Sequence, residues 1–195
     1  MATSVIRSGD QAAYRHSAVL VGASGLLFAQ DQVHFSQGHT GCALAQEFSS
    51  IDLSIGRVAV VTGDDSIYPE TFRLLAMAGV EVALVPLSPQ EDWELATGLL
   101  ERSAENRINL LVAPATLDYG PGFITCLQTD FTVMTEWHER PFDGLLSQPE
   151  WYRCPLQAGI SSAVIRPANA AHKVVSRNTD LLGNRPWQLA GAIAR

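Results

Sequence analysis

Three apolar runs, separated by amphipathic stretches, dominate the middle of the chain. Residues 57–62 form a nearly unbroken apolar run, which is typical of a strand buried on both faces. Residues 80–86 and 109–113 repeat this pattern. An amphipathic stretch follows each of the first two runs. The order strand–helix–strand–helix–strand predicts parallel strands joined by helical crossovers.

The two helices carry start and stop signals. Pro69 and Glu70 suit the first turn of one helix, because proline fixes φ and a carboxylate faces the positive end of the helix dipole. Gly79 suits its end. The segment 88–91 has the spacing of a capping box and predicts the start of the second helix. The residues that we expect this helix to bury are Trp93, Ala96, Leu99 and Leu100.

The flanking regions are less regular. Residues 17–29 predict a β-hairpin around a glycine-rich turn. Residues 114–159 are rich in proline, glycine and aromatic residues, and we interpret them as an irregular excursion with some strand of its own. Residues 163–165 and 188–193 predict two final strands.

Composition sets the protein class. The 195 residues suffice for one domain, which we interpret as residues 1–195. The net charge of −7 argues against nucleic acid or anionic lipid as a partner, because both need a basic face. No apolar run reaches the ~18 residues of a membrane span, and no secretory leader is recognisable. We therefore expect a cytoplasmic protein whose three cysteines are reduced thiols.

The most informative residue is Gly63, at the end of the first apolar run. A strand-to-helix turn of this kind often presents a nucleophile, and glycine cannot be one. Asp64 and Asp65 follow it and could bind Mg²⁺, as acidic residues do in doubly wound receiver-type domains. The alternative is a solvated turn in which Asp65 accepts backbone hydrogen bonds.

Other candidate sites have weaker patterns. His34, His39 and Cys42 resemble metal ligands in type, but zinc sites have tighter paired spacing and a fourth ligand. Cys126 and Cys154 lack a clearly basic neighbourhood that would make them reactive. We therefore expect no metal and no cofactor.

Several segments of the chain resemble the nitrilase superfamily, the carbon–nitrogen hydrolases, in the family's order. Residues 14–25 resemble its strand–turn–strand hairpin, and residues 32–35 resemble its lysine–any–histidine–leucine segment. Residues 56–70 resemble the stretch that ends in cysteine–tyrosine–aspartate and then phenylalanine–proline–glutamate. Weaker matches cover residues 102–106 and 162–167.

The resemblance implies an α/β fold, a nitrilase-like α-β-β-α sandwich that commonly dimerises. It also implies a triad in which a cysteine thiolate attacks a nitrile or amide carbon, a glutamate acts as base and a lysine stabilises the developing charge. The cysteine position is Gly63 and the lysine position is Gln32. The glutamate belongs to an N-terminal strand–helix segment that we expect this chain to lack. The resemblance therefore predicts a degenerate, inactive triad.

The matched segments also supply candidate binding residues, namely His34, Asp64, Asp65, Tyr68 and Glu70. Our leading hypothesis is an inactive binding, regulatory or partner module for a small amide or carboxylate, acting as a homodimer or with a complementing chain. One alternative is a hydrolase with relocated catalytic residues, using Asp65 or a cysteine. Others are the Mg²⁺-binding domain and a fragment of a longer polypeptide.

Overall fold

A computed structural model describes residues 1–9, 13–127, 150–175 and 179–191 of the chain. The strands are β1 (Ala2–Ser8), β2 (Tyr14–Gly22), β3 (Gly25–Asp31), β4 (Ile51–Leu53), β5 (Gly56–Val60), β6 (Val82–Leu87), β7 (Asn109–Pro114), β8 (Phe123–Cys126), β9 (Glu150–Arg153), β10 (Val174–Val175) and β11 (Thr179–Asp180). The helices are α1 (Gly63–Ser66), α2 (Pro69–Met77), α3 (Leu99–Asn106) and α4 (Trp187–Ala190).

The larger sheet has six strands in the order β4-β5-β6-β7-β8-β9. Its central strands β5, β6 and β7 are parallel, with α2 and α3 in the crossovers. The strands on either side pair antiparallel. The predicted strand–helix–strand–helix–strand order and the parallel sheet are therefore confirmed.

A second sheet of three antiparallel strands, β1-β2-β3, packs on the first. The predicted hairpin is confirmed as β2 and β3, whereas β1 was not predicted. The sequence of β1 alternates polar and apolar residues irregularly. The whole of β1 pairs with β2, from Ala2 opposite Leu20 to Ser8 opposite Tyr14. Its existence depends on that long-range pairing.

Two apolar clusters hold these layers together. The larger lies between the six-stranded sheet and the helices, and it includes Phe72, Leu100 and Leu110. The smaller lies between the two sheets and includes Leu20 and Val60. Over the described residues, the layers are helix, sheet and sheet.

The start of the second helix differs from the prediction. The side chain of Glu94 accepts the backbone N–H groups of Gln90 and Glu91, so the expected capping box is wrong. A wide turn, Glu94–Gly98, precedes α3 and rotates the helix face. Leu95 is buried where Trp93 was expected, whereas Trp93 is 43% exposed and Ala96 is also exposed. Leu99 and Leu100 are buried as predicted.

The C-terminal strands were also predicted wrongly. Residues 163–165 lie in a segment with no regular secondary structure, and Trp187–Ala190 form the short helix α4. Residues 192 and 193 of the second predicted strand lie outside the described residues. The predicted excursion contains β8 and β9, and residues 128–149 within it lie outside the described residues.

A polar cluster on the smaller sheet ties its three strands together. Arg7 of β1 donates to Asp31 of β3 at 2.6 Å, and Ser17 of β2 donates to the same carboxylate at 2.6 Å. Arg15 pairs with its other oxygen at 3.1 Å. Burial alone would raise the pKa of Asp31, but the hydrogen bonds from Ser17 and Arg7 and the charges of both arginines outweigh it and hold the pKa below its ordinary value.

Asp31→Asn is expected to lower the free energy of unfolding by about 1–2 kcal/mol at pH 7. Because the native pKa lies below the unfolded one, the ionised form stabilises the fold above about pH 4, and this contribution is lost as the pH falls through the native pKa. Urea denaturation at pH 7 and at successively lower pH values measures the loss and its decline as the carboxylate is protonated. Asp52→Asn, at an exposed ion pair with Arg57, is the matched control and should have a much smaller effect. Equal losses in the two variants would contradict the assignment.

Candidate functional site

Gly63 stands at the edge of the larger sheet, where β5 turns into α1. Thr62 caps this short helix, because its side chain accepts the N–H of Asp65 at 3.3 Å. The turn opens into a cavity of about 460 Å³ between the two sheets. The residues that line the cavity are Ala2, Thr3, Ser4, Val5, Ile6, His16, His39, Gly63, Asp64, Pro86, Leu87, Ser88, Ala113 and Ala115.

A side chain at position 63 would be tightly packed. A Cβ built on Gly63 would lie 3.0 Å from a terminal methyl of Leu87, 3.3 Å from the Leu87 Cα and 3.4 Å from the Ser88 nitrogen. The methyl is the flexible end of a side chain and can shift by a few tenths of an ångström, whereas the other two contacts are backbone atoms. A small side chain therefore fits at this turn only with a slight adjustment of its surroundings.

Gln32 lies at the centre of a polar chain and is fully buried. His16 donates from Nδ1 to Gln32 Oε1 at 2.6 Å, and Gln32 Nε2 donates to the backbone oxygen of His34 at 2.6 Å. With Nδ1 protonated, the Nε2 of a neutral His16 accepts the hydroxyl proton of Ser4. Both ends of the Gln32 amide are therefore engaged by protein groups, and the position carries no cation.

Asp65 is a buried structural acceptor. Its carboxylate receives the backbone N–H groups of Val33 and His34, the hydroxyl of Thr62 and the His34 ring, at 2.8–3.1 Å. It has no exposed surface. Four donors around an ionised carboxylate compensate for its burial. They also fix the segment after β3 against the turn that holds Gly63.

Asp64 faces the cavity instead. His39 donates from Nδ1 to Asp64 Oδ2 at 2.8 Å, and His16 Nδ1 lies 3.8 Å from the same oxygen. The rings of His16 and His39 stack with their centroids 3.9 Å apart. The cavity therefore presents one carboxylate and two imidazoles beside Gly63.

The atoms of His16, His39 and Asp64 that could ligate a metal lie within 4.8 Å of one another, close enough to hold one ion. Two features disfavour it. The Nδ1 of His16 is already a donor to Gln32, and the two rings stack at an interplanar angle of only 24°. A ligating imidazole holds its metal close to the plane of its ring. The planes of the stacked His16 and His39 rings do not meet within bonding distance of both rings, so no single position suits both as ligands. The arrangement suits hydrogen bonding better than ligation.

Of the five binding residues that the sequence suggested, Asp64 alone lines the cavity. His34 is stacked on Tyr68 at 3.9 Å and bound to Asp65, so these three form a network behind the turn. Glu70 is exposed in the first turn of α2. Asp64 and Asp65 diverge, one into the cavity and the other into the protein, which argues against the proposed Mg²⁺ pair.

The polar residues of the cavity wall that were missed as site residues include Ser4, His16 and His39. Ser4 and His16 come together only because β1 pairs with β2, a contact that no local pattern encodes. His39 had been considered with His34 and Cys42, whereas its partner in space is Asp64. A signal for His16 did exist, since it is a histidine on the buried side of an apolar strand, and such a residue needs polar partners.

No known family profile matches the chain, and no curated protein matches it in sequence. Solved structures do match. Nit3 from Saccharomyces cerevisiae, a member of branch 10 of the nitrilase superfamily, superposes with a TM-score of 0.55 at 15% identity, over 63% of this chain and 49% of that one. An amidase from Nesterenkonia sp. gives 0.54 at 16% identity, over 63% and 51%. A carbon–nitrogen hydrolase from Helicobacter pylori G27 gives 0.51 at 18% identity, over 64% and 53%.

These matches show the fold. The chain has a nitrilase-like α/β fold, as the sequence resemblance predicted, and it spans about half the length of each of these solved proteins. Among the residues that the structure describes, no helix is long and apolar enough to cross a membrane. The cytoplasmic location stays a prediction.

Proposed function

We propose that this nitrilase-fold chain binds a small primary amide or carboxylate in the Gly63 cavity and does not hydrolyse it. The observation that carries the proposal is the composition of the cavity wall. Gly63 supplies no nucleophile at the turn that we match to the family's cysteine, while Asp64 and His39 supply hydrogen-bonding groups around the same space. The cavity keeps groups that recognise a polar ligand and lacks those that would attack it.

The lysine position supports the same conclusion. Gln32 is buried and committed to His16 and to the His34 carbonyl, so no cation faces an oxyanion from this position. Loss of one oxyanion-stabilising group already costs roughly 10²–10³ in rate. With no thiolate present either, no covalent intermediate of the family type can form.

The relocated-catalysis alternative has less support. Asp65 is enclosed by four donors and does not reach the cavity. Neither Cys42 nor Cys154 lines the Gly63 cavity. We therefore expect that neither Asp65 nor these two cysteines replace the missing thiolate.

Related proteins show what ligand to try first. One variant of the Nesterenkonia amidase carries acrylamide added to its active-site cysteine, and another was solved in complex with acrylamide. For this chain, propanamide is the unreactive analogue of similar size. Homodimerisation or association with a complementing chain is part of the proposal, supported by exposed apolar residues of the three-stranded sheet such as Ile6, Tyr14 and Leu26.

Purified protein should bind propanamide saturably and release no ammonia from it. Calorimetric titration measures binding, and an enzyme-coupled assay measures ammonia over a panel of amides and nitriles. Asp64→Ala should weaken binding at least tenfold, since an amide N–H₂ loses its carboxylate acceptor. Asp52→Ala, at an exposed residue that does not line the cavity, is the control. Ammonia release above background, or binding that is unchanged in Asp64→Ala, would contradict the proposal.

A further inference from the structure

We infer that Ser4 and His16 form a nucleophile–base pair that hydrolyses small carboxylic esters, a function beyond the amide binding proposed above. Both residues line the Gly63 cavity, Ser4 from β1 and His16 from β2. The pairing of β1 with β2 brings them together across the smaller sheet. Neither the Gly63 turn nor a cysteine takes part, so this chemistry is separate from the triad that the sequence resemblance implied.

The hydrogen bonds of His16 prepare it to act as a general base. Its Nδ1–H donates to Gln32 Oε1 at 2.6 Å, which leaves the lone pair of Nε2 for the Ser4 hydroxyl. A nucleophile bonded to a base, with the base oriented by a third group, is the arrangement that activates serine in hydrolases. His16 is only 7% exposed, so these two bonds and its packing fix the orientation of the ring.

Asp64 supplies the negative charge that this pair needs. Its Oδ2 lies 3.8 Å from His16 Nδ1 and already accepts a hydrogen bond from His39. When His16 takes the proton of Ser4 it becomes a cation, and a carboxylate at this distance stabilises that cation. Gln32 and Asp64 therefore divide the two tasks that one aspartate performs in a Ser-His-Asp triad, namely orienting the imidazole and stabilising its charge.

The reaction balances with water as the only co-reactant. Ser4 Oγ attacks the ester carbonyl carbon, and its proton passes to His16 Nε2 as the Oγ–C bond forms. The C–O bond to the leaving group breaks, the leaving oxygen takes the proton from His16, and the acyl group stays on Ser4. Water then attacks the acyl carbon and gives a proton to His16. The Oγ–C bond breaks, Ser4 regains that proton, and a carboxylic acid leaves.

The substrate class follows from what the cavity wall lacks. Among the described residues, no lysine or arginine lines the cavity, so the oxyanion of the tetrahedral intermediate has no cationic partner. An amide, which is a poorer electrophile with a poorer leaving group, therefore stays intact. An ester with a phenolate leaving group needs less stabilisation, and the cavity of about 460 Å³ accommodates a short acyl chain.

Hydrolysis of 4-nitrophenyl acetate by the whole chain, followed by the release of 4-nitrophenolate, measures this activity. Ser4→Ala and His16→Asn should each lower kcat/KM by roughly 100-fold, because nucleophile and base act as one unit. Ser8→Ala changes an exposed serine of the same strand that does not line the cavity. This matched control should keep the rate of the natural chain within about twofold.

A covalent probe makes the test independent of how well the variants fold. A fluorophosphonate should form an Oγ–P bond to Ser4 of the natural chain as fluoride leaves, and peptide mapping by mass spectrometry locates the label. Unfolding the chain in urea before labelling should abolish the reaction, because an isolated serine hydroxyl is a weak nucleophile without its base.

Ester hydrolysis at the natural rate in Ser4→Ala, or fluorophosphonate labelling that spares Ser4, would overturn the inference. Propanamide binding is a separate measurement, so the two proposals fail separately. If propanamide does not bind while Ser4 hydrolyses the ester, the proposed function fails and this inference stands. If propanamide binds and Ser4 is inert, this inference fails and the proposed function stands.

Discussion

Asp65→Ala is expected to lower the free energy of unfolding by about 3–5 kcal/mol, a large effect for a single substitution. The substitution removes one carboxylate and leaves its buried donors without a partner. Two of these are the backbone N–H groups of Val33 and His34, which cannot turn toward solvent while the segment after β3 keeps its place. The Thr62 hydroxyl and the His34 ring lose the same acceptor.

Neighbouring Asp64 provides a matched control for this experiment. It is partly exposed and is bonded to His39 at the cavity wall, so Asp64→Ala should cost less than about 1 kcal/mol. Chemical denaturation of the two variants at pH 7 compares them directly, and Asp65→Asn provides a milder change if the alanine variant does not fold. Equal, small losses in Asp65→Ala and Asp64→Ala would mean that Asp65 is not the acceptor that holds the turn.

Gly63→Cys is expected to create an accessible thiol that reacts with acrylamide, at a site where the natural chain cannot be modified. The Cβ needs small shifts of the Leu87 methyl and of the Leu87–Ser88 backbone, and the position opens into the 460 Å³ cavity. Peptide mapping by mass spectrometry locates the modification, with the natural chain reporting background reaction at Cys42, Cys126 and Cys154. A buried, unreactive thiol at position 63 would show that the turn is closed.

We expect no sustained amide hydrolysis from Gly63→Cys, even though it supplies a thiol at the turn. Gln32, which we match to the family's lysine by sequence resemblance, stays a neutral, fully engaged amide. Groups that act together in a catalytic unit do not restore activity singly. Multiple turnover of propanamide by this variant would show that His16 or His39 supplies what we infer to be missing.

Much of the fold could be predicted because it is encoded locally. Runs such as residues 57–62 are buried on both faces, and the Pro69 and Gly79 signals mark both ends of α2. The prediction failed where local sequence is weak and pairing is distant. β1 forms only against β2, and the start of the second helix depends on Glu94 reaching back to Gln90.

The same distinction between local signals and distant contacts applies to the residues of the site. Gly63 and Gln32 were singled out by matching residue types along the chain, and in the structure Gly63 lines a cavity while Gln32 is buried. Asp64 and Asp65 are adjacent in sequence and could not be told apart, because the first turn of α1 directs one to the cavity and the other inward. Ser4, His16 and His39 join the site from three separate segments, which one sequence cannot bring together.

The rate of acrylamide addition to Gly63→Cys, with and without propanamide, tests most directly whether the Gly63 cavity is a ligand site. If propanamide occupies the cavity, propanamide at ten times its dissociation constant should slow modification at position 63 about tenfold and leave the background cysteines unaffected. The same rate at position 63 with and without propanamide would contradict the account, because the ligand would then bind elsewhere or not at all.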